Sequence, residues 1–357
     1  MDKIKRYLEC YIPTETCNLR CHYCYIAQLK KFNNKIVHFE QSVDTIRKAL
    51  SVERLGGRCL INICAGGETL LSEEVVNVIK ALLEEGHYLT VVTNGTMSKR
   101  FDEIAQFDSK LLKRLFFKFS FHYFELLRLN IMDKYFENIK KMKDAGCSFT
   151  VEITPSDELV PYIDDVKKIC IQKLGALCHV TIARDDRTKN IDVLSKYSFE
   201  EYKKIWSVFD SNLFNYKTTI FSKKRNEFCY AGDWSVYINL VTGDMSQCYC
   251  ERKIDNIYKD ISKKLNFCAV GNRCKEAHCY NGHSFIALGD IPELEAPTLA
   301  ELRNRKDDKG NEWLNKDMKE FMSQKLKDNN KEYSSCKKKI VMLKNNIAKI
   351  KLVSKLK

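Results

Sequence analysis

The chain has 357 residues, 44% of them hydrophobic and 30% charged, with 16 cysteines and a formal net charge of +13. This length and composition suit one large globular domain and a smaller one, and they exclude a disordered or fibrous chain. No apolar run approaches the roughly 20 residues of a bilayer span, and the start, MDKIKRYLEC, lacks the apolar stretch of a secretion signal, so a soluble, cytoplasmic protein without a disulfide framework is expected.

Residues 7–13 read as a short strand, and 40–55 as a helix with Val43, Ile46, Leu50 and Leu55 at helical spacing, ended by Gly56-Gly57. The compact apolar run 59–64 is a second strand, followed by a helix over 72–85 that Ser72 could cap. The unit then repeats, with strands at 88–93, 115–121, 148–154 and 177–183 and helices at 130–144 and 160–173. Alternating β and α with short connections means parallel strands joined by right-handed crossovers. Six units are too few for an eight-fold barrel, so the expected fold is α/β, a partial (β/α)6 TIM-like barrel with its site at the C-terminal strand ends.

Cys17-Asn18-Leu19-Arg20-Cys21-His22-Tyr23-Cys24 puts three thiols within eight residues as C-x3-C-x2-C. One compact inorganic group can take all three sulfurs. A [4Fe–4S] cluster on three thiolates keeps one iron open, which makes it a reaction site. The ferredoxin run has another order, and a structural zinc site wants a fourth ligand; a different metal or redox loop stays the alternative. The spacing, with an aromatic residue just before the last cysteine, resembles the cysteine motif of the radical S-adenosylmethionine (radical SAM) enzymes.

Unusual residues fall at the following strand ends. Gly66-Gly67-Glu68 could let backbone approach a ligand, or be an ordinary βα turn. It resembles the radical SAM motif that receives the amino group of the methionine moiety. Thr93-Asn94-Gly95-Thr96 is a turn signal that in many radical SAM enzymes lies by the cofactor. Ser120 resembles the hydroxyl residue near the ribose or carboxylate, and His122 shares its face or is a structural histidine. Glu152 alternates with Val151 and Ile153 and so points into the barrel, where ribose hydroxyls or the cofactor ammonium would partner it. Arg184 is a candidate for the cofactor carboxylate, or for a salt bridge with Asp185 or Asp186. Tyr23 and His22 are expected near the adenine. The resemblance covers about residues 7–185.

A second cysteine group begins at Cys229, with Gly243 and Cys248 in the spacing C-x13-G-x4-C, then Cys250, Cys268, Cys274 and Cys279. It resembles the opening of the SPASM and twitch extensions of radical SAM enzymes, which hold auxiliary [4Fe–4S] clusters. The later spacing, C-x5-C-x4-C, departs from the full SPASM pattern and favours the twitch form with one auxiliary cluster. Cys229, Cys248, Cys274 and Cys279 are the expected ligands, with Cys250, Cys268 and Cys336 in reserve and His278 and His283 near enough in sequence to join. A zinc knot from the same residues is the alternative. The isolated Cys59, Cys64, Cys147, Cys170 and Cys178 read as small core hydrophobes. The expected division is a barrel over 1–215, a cysteine-rich α+β auxiliary-cluster domain over 216–290, and a helical region over 291–357.

Residues 331–357 carry nine lysines and one acid, Glu332, so most of the net charge is a basic tail and nucleic acid is not an expected partner. Ile340, Leu343, Ile347 and Ile350 fall at helical spacing there, an amphipathic helix expected to pack on the barrel, with an acidic peptide or an anionic membrane surface as alternatives.

The resemblance implies that S-adenosylmethionine binds the open iron, takes one electron from a flavodoxin- or ferredoxin-type donor, and yields a 5′-deoxyadenosyl radical that abstracts a hydrogen atom from the substrate. In relatives with SPASM or twitch domains the substrate is often a ribosomally made peptide that becomes crosslinked, epimerised or oxidised. A carbohydrate or other small metabolite is the second expectation. A non-enzymatic iron–sulfur redox or sensor protein is the third; it would need no Gly-Gly-Glu beside the cysteine loop.

Overall fold

The structure, a computed structural model, describes residues 2–249, 252–272 and 274–355, with side chains up to Asn346. Cys250 and the side chains of Ile347 and Ile350 lie outside the described residues. Six strands follow one another as expected: β1 (Arg6–Ile12), β2 (Cys59–Ala65), β3 (Tyr88–Thr93), β4 (Leu115–Phe121), β5 (Ser148–Ile153) and β6 (His179–Val180). They pair in sequence order and all in parallel. The last is shorter than the run 177–183, because only His179 and Val180 find ladder partners on β5. A two-residue ribbon follows, β7 (Arg184–Asp185) against β8 (Asp192–Val193). This is the expected partial TIM-like α/β fold.

The strands sort their side chains by alternation. Leu8, Cys10, Ile61, Ile63, Val91, Phe117, Phe119 and Val151 face outward and are buried under the helices Glu74–Glu84, Met132–Asp144 and Ile163–Leu174. The inward face is layered. Tyr7, Leu60, Tyr88 and Phe116 form a buried apolar floor with residues of the C-terminal region. Tyr88 stacks on Phe321 with centroids 3.7 Å apart, and Tyr7 meets Phe285 edge-on. The C-terminal helices Leu299–Arg303 and Lys316–Met322 thus plug the bottom of the barrel.

The second cysteine region is continuous with the barrel sheet. β9 (Ser235–Asn239) runs parallel to β1, on the side away from β2, and β10 (Asp244–Ser246) and β11 (Lys253–Asn256) extend it antiparallel. Gly243, φ +75°, closes the hairpin expected at this point, and a Cβ there would meet the Tyr258 ring.

The tail helix, Ser335–Lys355, corrects the expectation for its packing. Ile340 and Leu343 are exposed, and the side chains turned inward are Val341 and Asn345. Asn345 donates to the carbonyls of Ala269 and Val270, 3.1 and 2.9 Å, and its amide oxygen accepts from Arg252 at 2.9 Å. The helix therefore rests on the second cysteine region. A buried polar anchor, invisible to a hydrophobic pattern, chooses its face.

Candidate active site

The three cysteines of the loop line one cavity of about 100 Å3 at the C-terminal ends of the strands. Gly66, Gly67 and Glu68 line it from β2, Thr93 and Asn94 from β3, and Ser120 and His122 from the end of β4. Burial pushes the Cys17 thiol up to about 11 and Cys21 up to about 12, and raises Cys24, so a bound cation is what would hold them as thiolates. Asn94 donates toward the Cys17 sulfur at 3.8 Å, and Leu19 N–H does so at 3.5 Å. Three thiols on one wall, with amide donors aimed at a sulfur, fit a three-cysteine cluster.

The glycines and Glu68 also meet partners within the chain. A Cβ on Gly67 would overlap the carbonyl oxygen of Thr16, and one on Gly66 would lie 2.6 Å from the hydroxyls of Tyr11 and Tyr25. What approaches them is the chain's own entry to the cysteine loop. Glu68 Oε1 accepts from the Thr93 hydroxyl (2.6 Å) and Leu70 N–H (2.9 Å), and Oε2 from Asn94 N–H (2.7 Å). The carboxylate ties the end of β2 to the end of β3 and keeps one lone-pair site for a ligand. Asn94 in turn donates to Asn18 (2.8 Å), and Asn18 donates to Thr96 (2.7 Å), so the Thr-Asn-Gly-Thr turn clamps the cysteine loop.

Tyr23 and His122 share a hydrogen bond, 2.8 Å from hydroxyl to Nδ1, with the rings stacked. Burial holds His122 down to about 4, so it is neutral. His22 points outward and pairs with Glu158 at 2.7 Å.

Two expected cofactor residues lie elsewhere. Glu152 is buried between Lys118, 3.3 Å away, and Arg303. Arg184 lines a second cavity of about 200 Å3 inside the barrel and does not pair with Asp185, which is taken by Arg187 at 2.8 Å. This second cavity begins above the apolar floor and is lined by Glu9, Asn62, Lys118, His283 and Arg303. Val92 lines both cavities. Tyr249 and Tyr280, the neighbours of Cys248 and Cys279, close it from the second cysteine region. Cys64 also opens here, donating to Glu9 Oε1 at 3.0 Å, so it is no plain core residue; Cys59, Cys147, Cys170 and Cys178 are buried as expected. Glu9, an acid inside an apolar strand, was the available sequence signal for this interior. Lys118, one pleat repeat before Ser120, was another.

Cys229, Cys248, Cys274 and Cys279 are neighbours. Burial raises the Cys229 thiol, helped by Asp290, Cys279 and Cys248, and burial and Cys274 push Cys279 up to about 12. An isolated bridge between Cys229 and Gly271 sets the segment before Cys274 beside Cys229. Cys268 lies apart, 3.4 Å from Arg252, and Cys336 is exposed on the tail helix. His278 packs on Phe221 and Tyr280. Among the described residues no three Cys, His, Asp or Glu side chains converge on a single-ion site. Among the described residues no helix is long and apolar enough to cross a membrane.

Comparison with known proteins adds the following. The Radical SAM superfamily profile matches residues 11–157. Among solved structures, Streptococcus suis SuiB bound to S-adenosylmethionine superposes with a TM-score of 0.52 at 14% identity, over 72% of this chain and 64% of that one. The chain therefore spans less than two thirds of SuiB's length. The structure of anSMEcpe with bound AdoMet gives 0.50 at 15% identity, over 73% and 77%. At such identities the likeness speaks for the fold. No curated protein sequence matches. The profile match, the strand order and the cysteine cavity agree: residues 11–157 are a domain of the radical SAM superfamily.

Proposed function

We propose that the chain is a radical SAM enzyme that holds a [4Fe–4S] cluster on Cys17, Cys21 and Cys24 and S-adenosylmethionine in the adjoining cavity. The observation that carries this reading is the single cavity lined by the three thiols, Gly66–Glu68, Ser120 and His122. When bound and reduced, the pair supplies a 5′-deoxyadenosyl radical that abstracts a hydrogen atom from an unactivated C–H bond. The chain's share is to position and to exclude water. Glu68 and Asn94 fix the strand ends against the cysteine loop, and Tyr23 holds neutral His122 in the cavity wall. Ser120 offers a hydroxyl to the ribose or carboxylate.

Cys229, Cys248, Cys274 and Cys279 are proposed to hold one auxiliary [4Fe–4S] cluster, with 216–290 as its domain. The substrate cavity is the second one, lying between the two cysteine groups. The resemblance to SPASM and twitch enzymes supports a ribosomally made peptide as substrate. A small metabolite is the second reading, favoured by an interior space of only about 200 Å3. The reading includes a reducing, cytoplasmic setting, in keeping with described cysteines that form no disulfide, and a flavodoxin- or ferredoxin-type electron donor.

Anaerobic reconstitution with iron, sulfide, S-adenosylmethionine and dithionite tests the reading. Formation of 5′-deoxyadenosine and about eight irons per chain are expected. A loaded protein that makes no 5′-deoxyadenosine would leave the redox or sensor alternative.

A further inference from the structure

The barrel interior holds more basic side chains than its own acids pair with. Lys118, Arg184 and Arg303 line the second cavity, with His283 beside them. Lys217 acts on Lys118, Arg184 and His283 from just behind. Against these stand two buried acids. Glu152 is shared by Lys118 and Arg303. Glu9 is taken up by neutral donors: Tyr7 at 2.5 Å, Asn62 at 2.6 Å, Cys64 at 3.0 Å and Asn281 at 3.0 Å.

Arg184 and Lys217 are left over. Among the described residues neither has a carboxylate within ion-pair distance; Lys217 donates to the Thr181 hydroxyl at 2.5 Å, and Asp186 acts on Arg184 only from further off. Cations taken out of water stay there when something of opposite sign meets them. Burial and the Arg303 charge bring Lys118 down to about 7, and burial with Lys118 and Arg184 carries Lys217 well below its ordinary value.

We propose that this cavity is an anion site, in which Arg184, with Lys118 and His283 beside it and Lys217 behind, receives a carboxylate or phosphate group of the substrate. The proposal deepens the radical SAM reading and rests on it for the word substrate. An anchored anionic end fixes the rest of the molecule against Val92, the side chain shared with the cysteine cavity. Arg184, read from sequence as a partner of the cofactor carboxylate, is thereby assigned to the other ligand.

The test uses the reconstituted full chain saturated with S-adenosylmethionine and titrated calorimetrically with two probes, inorganic phosphate and succinate. Binding of either at millimolar concentration is expected, and the stronger one names the source of the charge. Arg184→Gln should weaken that binding about tenfold or more, as loss of a charge-assisted contact does, and Lys217→Met should weaken it by a smaller factor. The proposal is overturned if neither probe binds, if both variants bind like the parent, or if a probe binds only when S-adenosylmethionine is left out. Titration with S-adenosylmethionine alone separates the two readings. If it neither binds nor is cleaved while an anion still binds, the cysteine-cavity reading falls and the anion site stands.

Discussion

Gly67 shows how far a single residue carries. Its missing Cβ is what lets the Thr16 carbonyl lie against it, and Thr16 is one step before Cys17. Gly67→Ala should push that entry away, cost about 1–3 kcal/mol of stability by overpacking, and lower the iron retained by the loop. Iron analysis beside a urea melt checks both parts; full iron with an unchanged melt would refute the crowding argument. That a close approach occurs at Gly66–Gly67 was legible, but its partner was not. Sequence shows where a Cβ is missing and not which chain crosses there. His87 gives a pH-dependent counterpart. Cys59 N–H donates to its Nδ1 at 3.1 Å, and its Nε2 faces the Leu50 carbonyl at 2.8 Å, so the ring must stay neutral. Burial lowers it to about 4 from 6.5, and a histidine depressed in the folded state stabilises fully above pH 6.5 and progressively less as pH falls towards 4. The loss at this site is about 3 kcal/mol over that window. His122 and His179 shift the same way. The urea midpoint should fall from pH 6.5 to 4, and less steeply in His87→Gln.

At the scale of elements, the tail helix is the instructive case. Its period was readable from Ile340 and Leu343, yet both are exposed. Asn345 decides the face by satisfying two carbonyls before Gly271 and accepting from Arg252. Asn345→Leu keeps the size and adds an apolar group, but strands the Val270 carbonyl, since Ala269 keeps Gln247 as a donor at 3.0 Å, and should destabilise by about 2 kcal/mol. A thiol-reactive probe should then reach Cys268, which lies against Asn345, faster than in the parent. An unchanged rate would mean that the helix is held elsewhere. The barrel strands were readable for the opposite reason. Their outward side chains meet only helices, so alternation and apolar runs carried the whole message. The floor was not readable, because Phe321 reaches Tyr88 from a segment whose own pattern is short and charged.

Over the whole molecule, the nine-stranded sheet makes one mechanical body of what the sequence divides at 216. Nothing in the hairpin around Gly243 announces that β9 will pair with β1, since that contact joins residues more than 200 positions apart. Unfolding in urea should therefore be one transition, superimposable by far-ultraviolet dichroism and by fluorescence of Trp206, Trp234 and Trp313. Two separated transitions would show independent units. Chemistry should divide where unfolding does not. A Cys17/Cys21/Cys24→Ala variant is expected to lose S-adenosylmethionine cleavage and keep about four irons. Retained cleavage would sink the assignment of the loop.

Val92 stands between the two cavities. With both filled as proposed, one isopropyl group sets the gap across which a hydrogen atom must pass, and so divides cofactor cleavage between useful and wasted events. A larger side chain should leave cleavage running and uncouple it from product. A smaller one should admit water or reductant to the same gap. Fidelity of the reaction would then be written in the bulk of a residue that binds neither ligand through a polar atom.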